Sequence, residues 1–166
     1  SYRSIKGNMA DSVYISEHLS KSQLEFLKLL DDYEIQLFKF SEIEELLEQN
    51  FDNLSEILEN LVDKELLVRI EKGKFCRQNF RDEYVIGTFI AENSVVAYWS
   101  ALNLHGLTEQ FSNTVFIQTT HKKHDKSILG TFYKFVKIAP HKKLGIIHNG
   151  YGNLQYPITD VEKTIV

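Results

Sequence analysis

"LLVRIEKGKFCR", residues 66–77, is the stretch on which the fold turns. Val68 and Ile70 alternate with charged residues, Gly73 stands where a tight turn needs positive φ, and Phe75 resumes the apolar side, so a β-hairpin is predicted. Immediately upstream, a helix beginning near Asp52 or Asn53 puts Leu54, Ile57, Leu58, Leu61 and Val62 on one stripe. Before that, Ser41 with Glu44 reads as a capping box opening a short helix with Ile43, Leu46 and Leu47. Ser20 with Gln23 reads the same way and opens a first helix with Leu24, Leu27, Leu30 and Tyr33 on one side. Helices this short are not stable alone and must pack together. Three short helices followed by a hairpin is the order of a winged helix-turn-helix, which is therefore expected over residues 20–80.

Downstream of the polar passage "RQNFRDEY" (77–84), the best boundary, the pattern changes. "VVAYWSALNLHG" (95–106) reads as a helix capped by Asn93 or Ser94 and closed by Gly106. "TVFIQTT", "ILGTFYKFVKI" and "LGIIHN" read as β-rich runs, and "NGYGN" (149–153) as turn chemistry. Residues 81–166 are thus expected to form a small α+β domain with a mostly antiparallel sheet, making the whole chain α+β. Residues 1–19 read as an N-terminal arm or leader. The final "PITDVEKTIV" (157–166) reads as a helix just begun, capped by Thr159 or Asp160, so the second domain is expected to be truncated at its C-terminal end.

The chain has 166 residues, 43% of them hydrophobic, which supports a real core and argues against disorder. A single cysteine, Cys76, allows no intrachain disulfide, and no run reaches the roughly 18–20 apolar residues of a membrane span, so a cytoplasmic protein is expected. Charge is uneven. Residues 1–80 hold 10 Lys and Arg against 16 Asp and Glu, and residues 81–166 hold 9 against 7. Within 121–143, seven lysines face one acid, Asp125.

Candidate chemistry is thin. Ser100 and His105 resemble a nucleophile and base, but five residues along a helix is a rotation of about 140°, so they are not neighbours on one face. Trp99 reads as a core anchor. "HKKHD" (121–125) offers two imidazoles and a carboxylate, yet the intervening lysines repel a dication and no third ligand is evident, so a solvated hairpin tip is the better reading. "NGYGN" lacks the following helix that a phosphate-cradling loop needs, and "EIEE" (42–45) reads as a solvated helix face. No enzyme, cofactor or metal centre is expected.

Binding remains. The outward side of the third helix would carry Asn53, Ser55, Glu56, Glu59, Asn60, Asp63 and Lys64, an acidic face that phosphates would repel. The basic residues lie on the wing, at Arg69, Lys72, Lys74 and Arg77. In one reading the wing and the loop bearing Lys122, Lys123 and Lys126 grip operator phosphates while Asn53, Ser55 and Asn60 touch base edges, with Lys64 beside them. In the other, the winged half is a protein-docking module that no longer binds DNA.

The run "AYWSALNLHGLTEQFSNTVFIQTT", with "ELLVRIEKGKFC" before it and "ITDVEKTIV" after it, resembles the AbiE-type (type IV) antitoxin and transcriptional regulator family of bacteria. Trp99, Ser100, Ala101, Leu102, His105, Gly106, Leu107 and Thr108 match one family run, and Glu162, Lys163 and Thr164 another, across nearly all of residues 20–166. The resemblance implies a winged helix that binds the promoter of its own operon. It also implies a second region that counteracts a nucleotidyltransferase-like toxin without a required stable complex, and a protein that is not an enzyme. Family members commonly carry a more basic DNA-facing surface than this first half.

Overall fold

The computed structural model describes residues 18–96, 114–139 and 145–159. The chain falls into two compact units, residues 1–80 and 81–166.

In the first unit the order is α1 (Lys21–Asp32), β1 (Leu37–Lys39), α2 (Ile43–Leu47), α3 (Leu54–Asp63), β2 (Leu67–Glu71) and β3 (Lys74–Arg77). The capping box of α1 is present: Gln23 N–H donates to Ser20 Oγ and Ser20 N–H to Gln23 Oε1, both at 3.2 Å. Its buried stripe is Gln23, Phe26, Leu27 and Leu30, whereas Leu24 is half-buried and Tyr33 exposed, a rotation of the face expected from the leucines. Phe26 makes the difference, since its ring meets Phe38 and Phe51 edge-on at 5.8 and 5.5 Å. The capping box expected at Ser41 is not formed. Glu42 is the N-cap of α2 without a side-chain bond, and Glu44 Oε2 instead accepts from Phe51 N–H at 2.7 Å. Of the expected α2 stripe, Ile43 and Leu47 are buried and Leu46 is exposed. On α3, Leu54, Ile57, Leu58 and Leu61 are buried and Val62 is half-buried.

All three helices close with paired backbone bonds in which a left-handed glutamate replaces the usual glycine. Glu34, Glu48 and Glu65 have φ of 54°, 55° and 60°. Behind them Ile35, Gln49 and Leu66 donate to Leu30, Glu44 and Leu61 carbonyls at 2.9, 3.1 and 2.9 Å.

The hairpin turns at Gly73, φ 73°, with a register shift between Arg69 and Glu71. That shift buries Leu67 and Ile70 and leaves Val68 half-exposed, so the simple alternation read from the sequence is broken. A strand absent from the sequence reading, β1, pairs with β3 from the other side (Leu37 opposite Cys76), giving an antiparallel sheet of order β1-β3-β2. Phe38 stacks on Phe75 at 5.5 Å and joins the sheet to the helical core.

The second unit contains α4 (Glu83–Ile90), β4 (Val95–Val96), β5 (Thr114–Thr119), β6 (Lys126–Ile128), β7 (Thr131–Lys137), β8 (Ile146–Asn149), a 3₁₀ turn (Gly152–Leu154) and β9 (Tyr156–Thr159). The six strands run in the order β6-β7-β5-β4-β9-β8. Three neighbouring pairs are antiparallel, while β5–β7 and β4–β9 are parallel. Counting both sheets, pairing is mostly antiparallel, and the molecule is α+β.

The passage read as the boundary holds Asp82, whose Oδ1 caps α4 by accepting Tyr84 and Val85 N–H at 3.2 Å each. Three expectations change here. Val95 and Val96, expected to start a helix, form a central strand; residues 97–106, including Trp99, Ser100 and His105, lie outside the described residues. "ILGTFYKFVKI" is two strands, broken at Leu129 and Gly130, whose φ values of 51° and 87° make a two-residue hairpin turn. Finally, Tyr156–Thr159 is a strand, so the first residues of the run expected to be helical are extended, while the expected helix itself and its cap at Thr159 or Asp160 depend on residues 160–166, which lie outside the described residues.

Candidate nucleic-acid interface

The hairpin expected to be a wing is built by β2 and β3, and the structure divides its four cations into two kinds. Arg77 is turned inward, its Nη2 2.9 Å from Asp31 Oδ1 of α1. Lys74 Nζ lies 3.2 Å from Glu71 Oε1 across the turn, both side chains largely buried. These two charges are already neutralised and serve the fold. Lys72 at the turn is exposed, as is Arg69, whose guanidinium lies over the Phe75 ring at 5.6 Å. The outward charge of the hairpin is therefore Arg69 and Lys72.

On α3, Asn53, Ser55, Glu56, Glu59 and Asp63 are exposed and Asn60 is half-buried. Asn53 stands at the N-cap without a side-chain cap bond, which leaves its amide for another partner. Lys64, expected to reach a phosphate, instead donates from Nζ to His18 O at 3.2 Å and Gln23 Oε1 at 3.0 Å. It ties the end of α3 to the capping box of α1 and is withdrawn from any outer surface.

In the second unit, "HKKHDK" links β5 to β6, two strands separated by β7, so it is a crossing loop rather than the hairpin tip expected. Asp125 Oδ1 accepts Phe135 N–H at 2.9 Å and anchors the loop's end. Lys122 is exposed, Lys123 lies over the Phe135 ring at 5.7 Å, and Lys126 opens β6 half-buried, opposite Tyr133. Among the described residues, no group of three His, Cys, Asp or Glu side chains is arranged to hold a metal ion.

The sequence reading misses a cleft of about 520 Å³ lined by Asp82, His148, Asn149, Gly150, Tyr151, Leu154 and Tyr156. Its signal is present in "NGYGN" and "RDEY", but the two passages meet only because β8 and β9 fold back beside α4. The Tyr84 and Tyr156 rings stack there at 5.7 Å. Burial, then the Asp82 charge, pushes the Glu83 carboxyl above its usual range. The Tyr84 phenol is raised by burial, then by Glu83, Tyr156 and Asp82. Tyr156 is raised by burial and Asp82, against a smaller lowering from its hydrogen bond with Asn149.

Neither a scan against protein-family models nor a comparison with curated proteins returns a match for this chain.

Proposed function

We propose that the chain is an antitoxin-type transcriptional regulator whose first unit, a winged helix-turn-helix, binds promoter DNA in the bacterial cytoplasm, and whose second unit counteracts a nucleotidyltransferase-like toxin. The observation that carries the DNA reading is the topology of that unit. Helix, strand, two helices and a hairpin, with a β1-β3-β2 sheet, is the framework of winged-helix DNA readers, and its hairpin tip presents Arg69 and Lys72 outward. The antitoxin role rests on the sequence resemblance through "WSALNLHGLT" and "EKT". No helix of the described residues is long and apolar enough to cross a membrane.

The acidic side of α3 shapes how binding would occur. Glu56, Glu59 and Asp63 would repel phosphates, so the wing leads, and Asn53, Ser55 and Asn60 reach base edges only from the helix's N-terminal half. A mobility-shift titration with the DNA upstream of the gene, at two salt concentrations, tests this. A sequence-selective shift that weakens with salt supports the reading, and its absence overturns it.

The same carboxylates favour a second reading, in which α3 docks a basic protein surface and the winged unit has left DNA. A partner captured without DNA, and released by Glu56→Lys with Glu59→Lys, would select it. For the antitoxin role, expression of the neighbouring gene should arrest growth unless this protein is present.

A further inference from the structure

The cleft beside α4 has a definite chemistry. Asp82 stands at its edge with Oδ1 engaged by the helix N-terminus, which leaves its second carboxylate oxygen for a ligand. The partial positive charge of a helix end is about half a unit, less than the two carboxylates of Asp82 and Glu83. Ionisation of Glu83, Tyr84 and Tyr156 is made harder, first by burial and then by neighbouring negative charge that includes Asp82. No lysine or arginine is among the described lining residues.

The opposite wall is a rigid turn. Gly150 has φ 94°, and a Cβ there would lie 2.4 Å from the Leu154 carbonyl oxygen, so only glycine fits. This turn leads into Tyr151, which is 91% exposed. A large aromatic side chain held in water at the edge of a cleft is surface available to a partner. Asn149 and the Tyr156 hydroxyl add polar groups to the wall.

We propose that this cleft receives one cationic side chain, a guanidinium from a partner polypeptide, with Asp82 as its counter-ion and Tyr151 as the ring that covers its flat face. An anion would meet Asp82 and Glu83, and a metal ion would find only Asp82 and His148 among the described lining residues, short of a set of three. A planar cation uses both the carboxylate, through its fork of N–H donors, and the aromatic face. The assignment is independent of whether the first unit binds DNA.

The test uses the full chain and two probes, N-acetyl-arginine amide and N-acetyl-citrulline amide, which share shape and differ in charge. Binding is followed through the His148 and Tyr151 ring resonances. We expect the arginine probe to bind with an affinity in the millimolar range and at least about tenfold more tightly than citrulline, a difference of ~1.4 kcal/mol. Asp82→Asn keeps an N-cap acceptor for α4 and removes the charge, so it should abolish the preference while leaving the thermal midpoint unchanged. Tyr151→Ser should weaken arginine binding about threefold or more, as expected for an exposed cation–π pair. Equal binding of the two probes, no shift at about 10 mM arginine probe, or a preference that survives Asp82→Asn would each overturn the assignment.

Discussion

Gly87 of α4 lies against Tyr133 of β7 so closely that an added Cβ would stand 2.8 Å from Tyr133 Cε1 and 3.0 Å from Ile117 Cδ1. The tyrosine cannot retreat, because its ring is 1% exposed and its hydroxyl donates to Glu83 O at 2.8 Å, at the start of the same helix. Helix and sheet are thereby clamped at two points one turn apart.

Gly87→Ala should therefore destabilise the second unit, although alanine is the better helix former. The propensity gain is about 1 kcal/mol at most, and forcing extra volume into a fixed space costs about 1–3 kcal/mol. Denaturant unfolding followed through that unit should show a lower midpoint. A raised midpoint would mean that the neighbouring rings give way easily.

Glu65→Gly should stabilise the first unit. Glu65 holds φ 60° after α3, a conformation costing an L-residue about 1 kcal/mol that glycine adopts without strain, while glycine's greater freedom in the unfolded chain returns part of the gain. A net gain of about 0.5 kcal/mol is expected, read as a higher denaturation midpoint with an unchanged slope. Leu129→Asn applies the same logic to the two-residue turn before β7, where asparagine suits φ of 51° better than leucine.

These positions also explain what the sequence conceals. Helix stops are read from glycine, and Glu34, Glu48 and Glu65 replace it, so the helices are legible from their starts and stripes but not from their ends. The α4 segment shows no helix pattern in the sequence because Gly87 interrupts it, yet that glycine lies against Tyr133. Val95 and Val96 join the helix predicted after them, since two apolar residues carry no period of their own. Leu129 hides a hairpin turn inside one β-rich run. At the candidate interface, Lys64 and the cations of the β2–β3 hairpin stand out as a set, but Asp31 and Gln23, the partners of Arg77 and Lys64, are remote in sequence. Only the folded chain separates Arg77 and Lys64 from Arg69 and Lys72.

Stability should fall in alkaline solution through the two stacked tyrosines. Both phenols have folded-state values raised from an ordinary 10.0. An acid that is harder to ionise when folded opposes folding once the unfolded chain can release its proton, so its stabilising share is fully present below the unfolded value and declines as pH rises toward the folded one. Unfolding of the second unit should thus become easier above about pH 10. Tyr156→Phe, which keeps the stack with Tyr84 and removes one ionisation, should flatten that decline. An identical alkaline decline in the variant would show that the stacked pair does not cause it.

On the proposed DNA-binding reading, the division of the β2–β3 hairpin's cations makes a sharper prediction than their number does. Arg69→Ala with Lys72→Ala removes the two outward charges. It should weaken binding to all DNA sequences alike and lower the slope of log affinity against log salt by about 0.9 for each phosphate no longer neutralised. Arg69→Ala also removes the guanidinium from over Phe75, an interaction worth about 0.5–1 kcal/mol at an exposed site, so the midpoint should move only slightly. Arg77→Ala should do the reverse. It leaves Asp31 without its partner at 2.9 Å, lowers the unfolding midpoint, and keeps the salt slope. Lys64→Ala belongs with Arg77, since its ammonium joins α3 to Gln23 rather than to a ligand. Measuring these variants by both thermal unfolding and salt-dependent mobility shift distinguishes the roles. A salt slope that drops for Arg77→Ala and holds for the Arg69 and Lys72 pair would move the DNA-binding charges away from the wing tip.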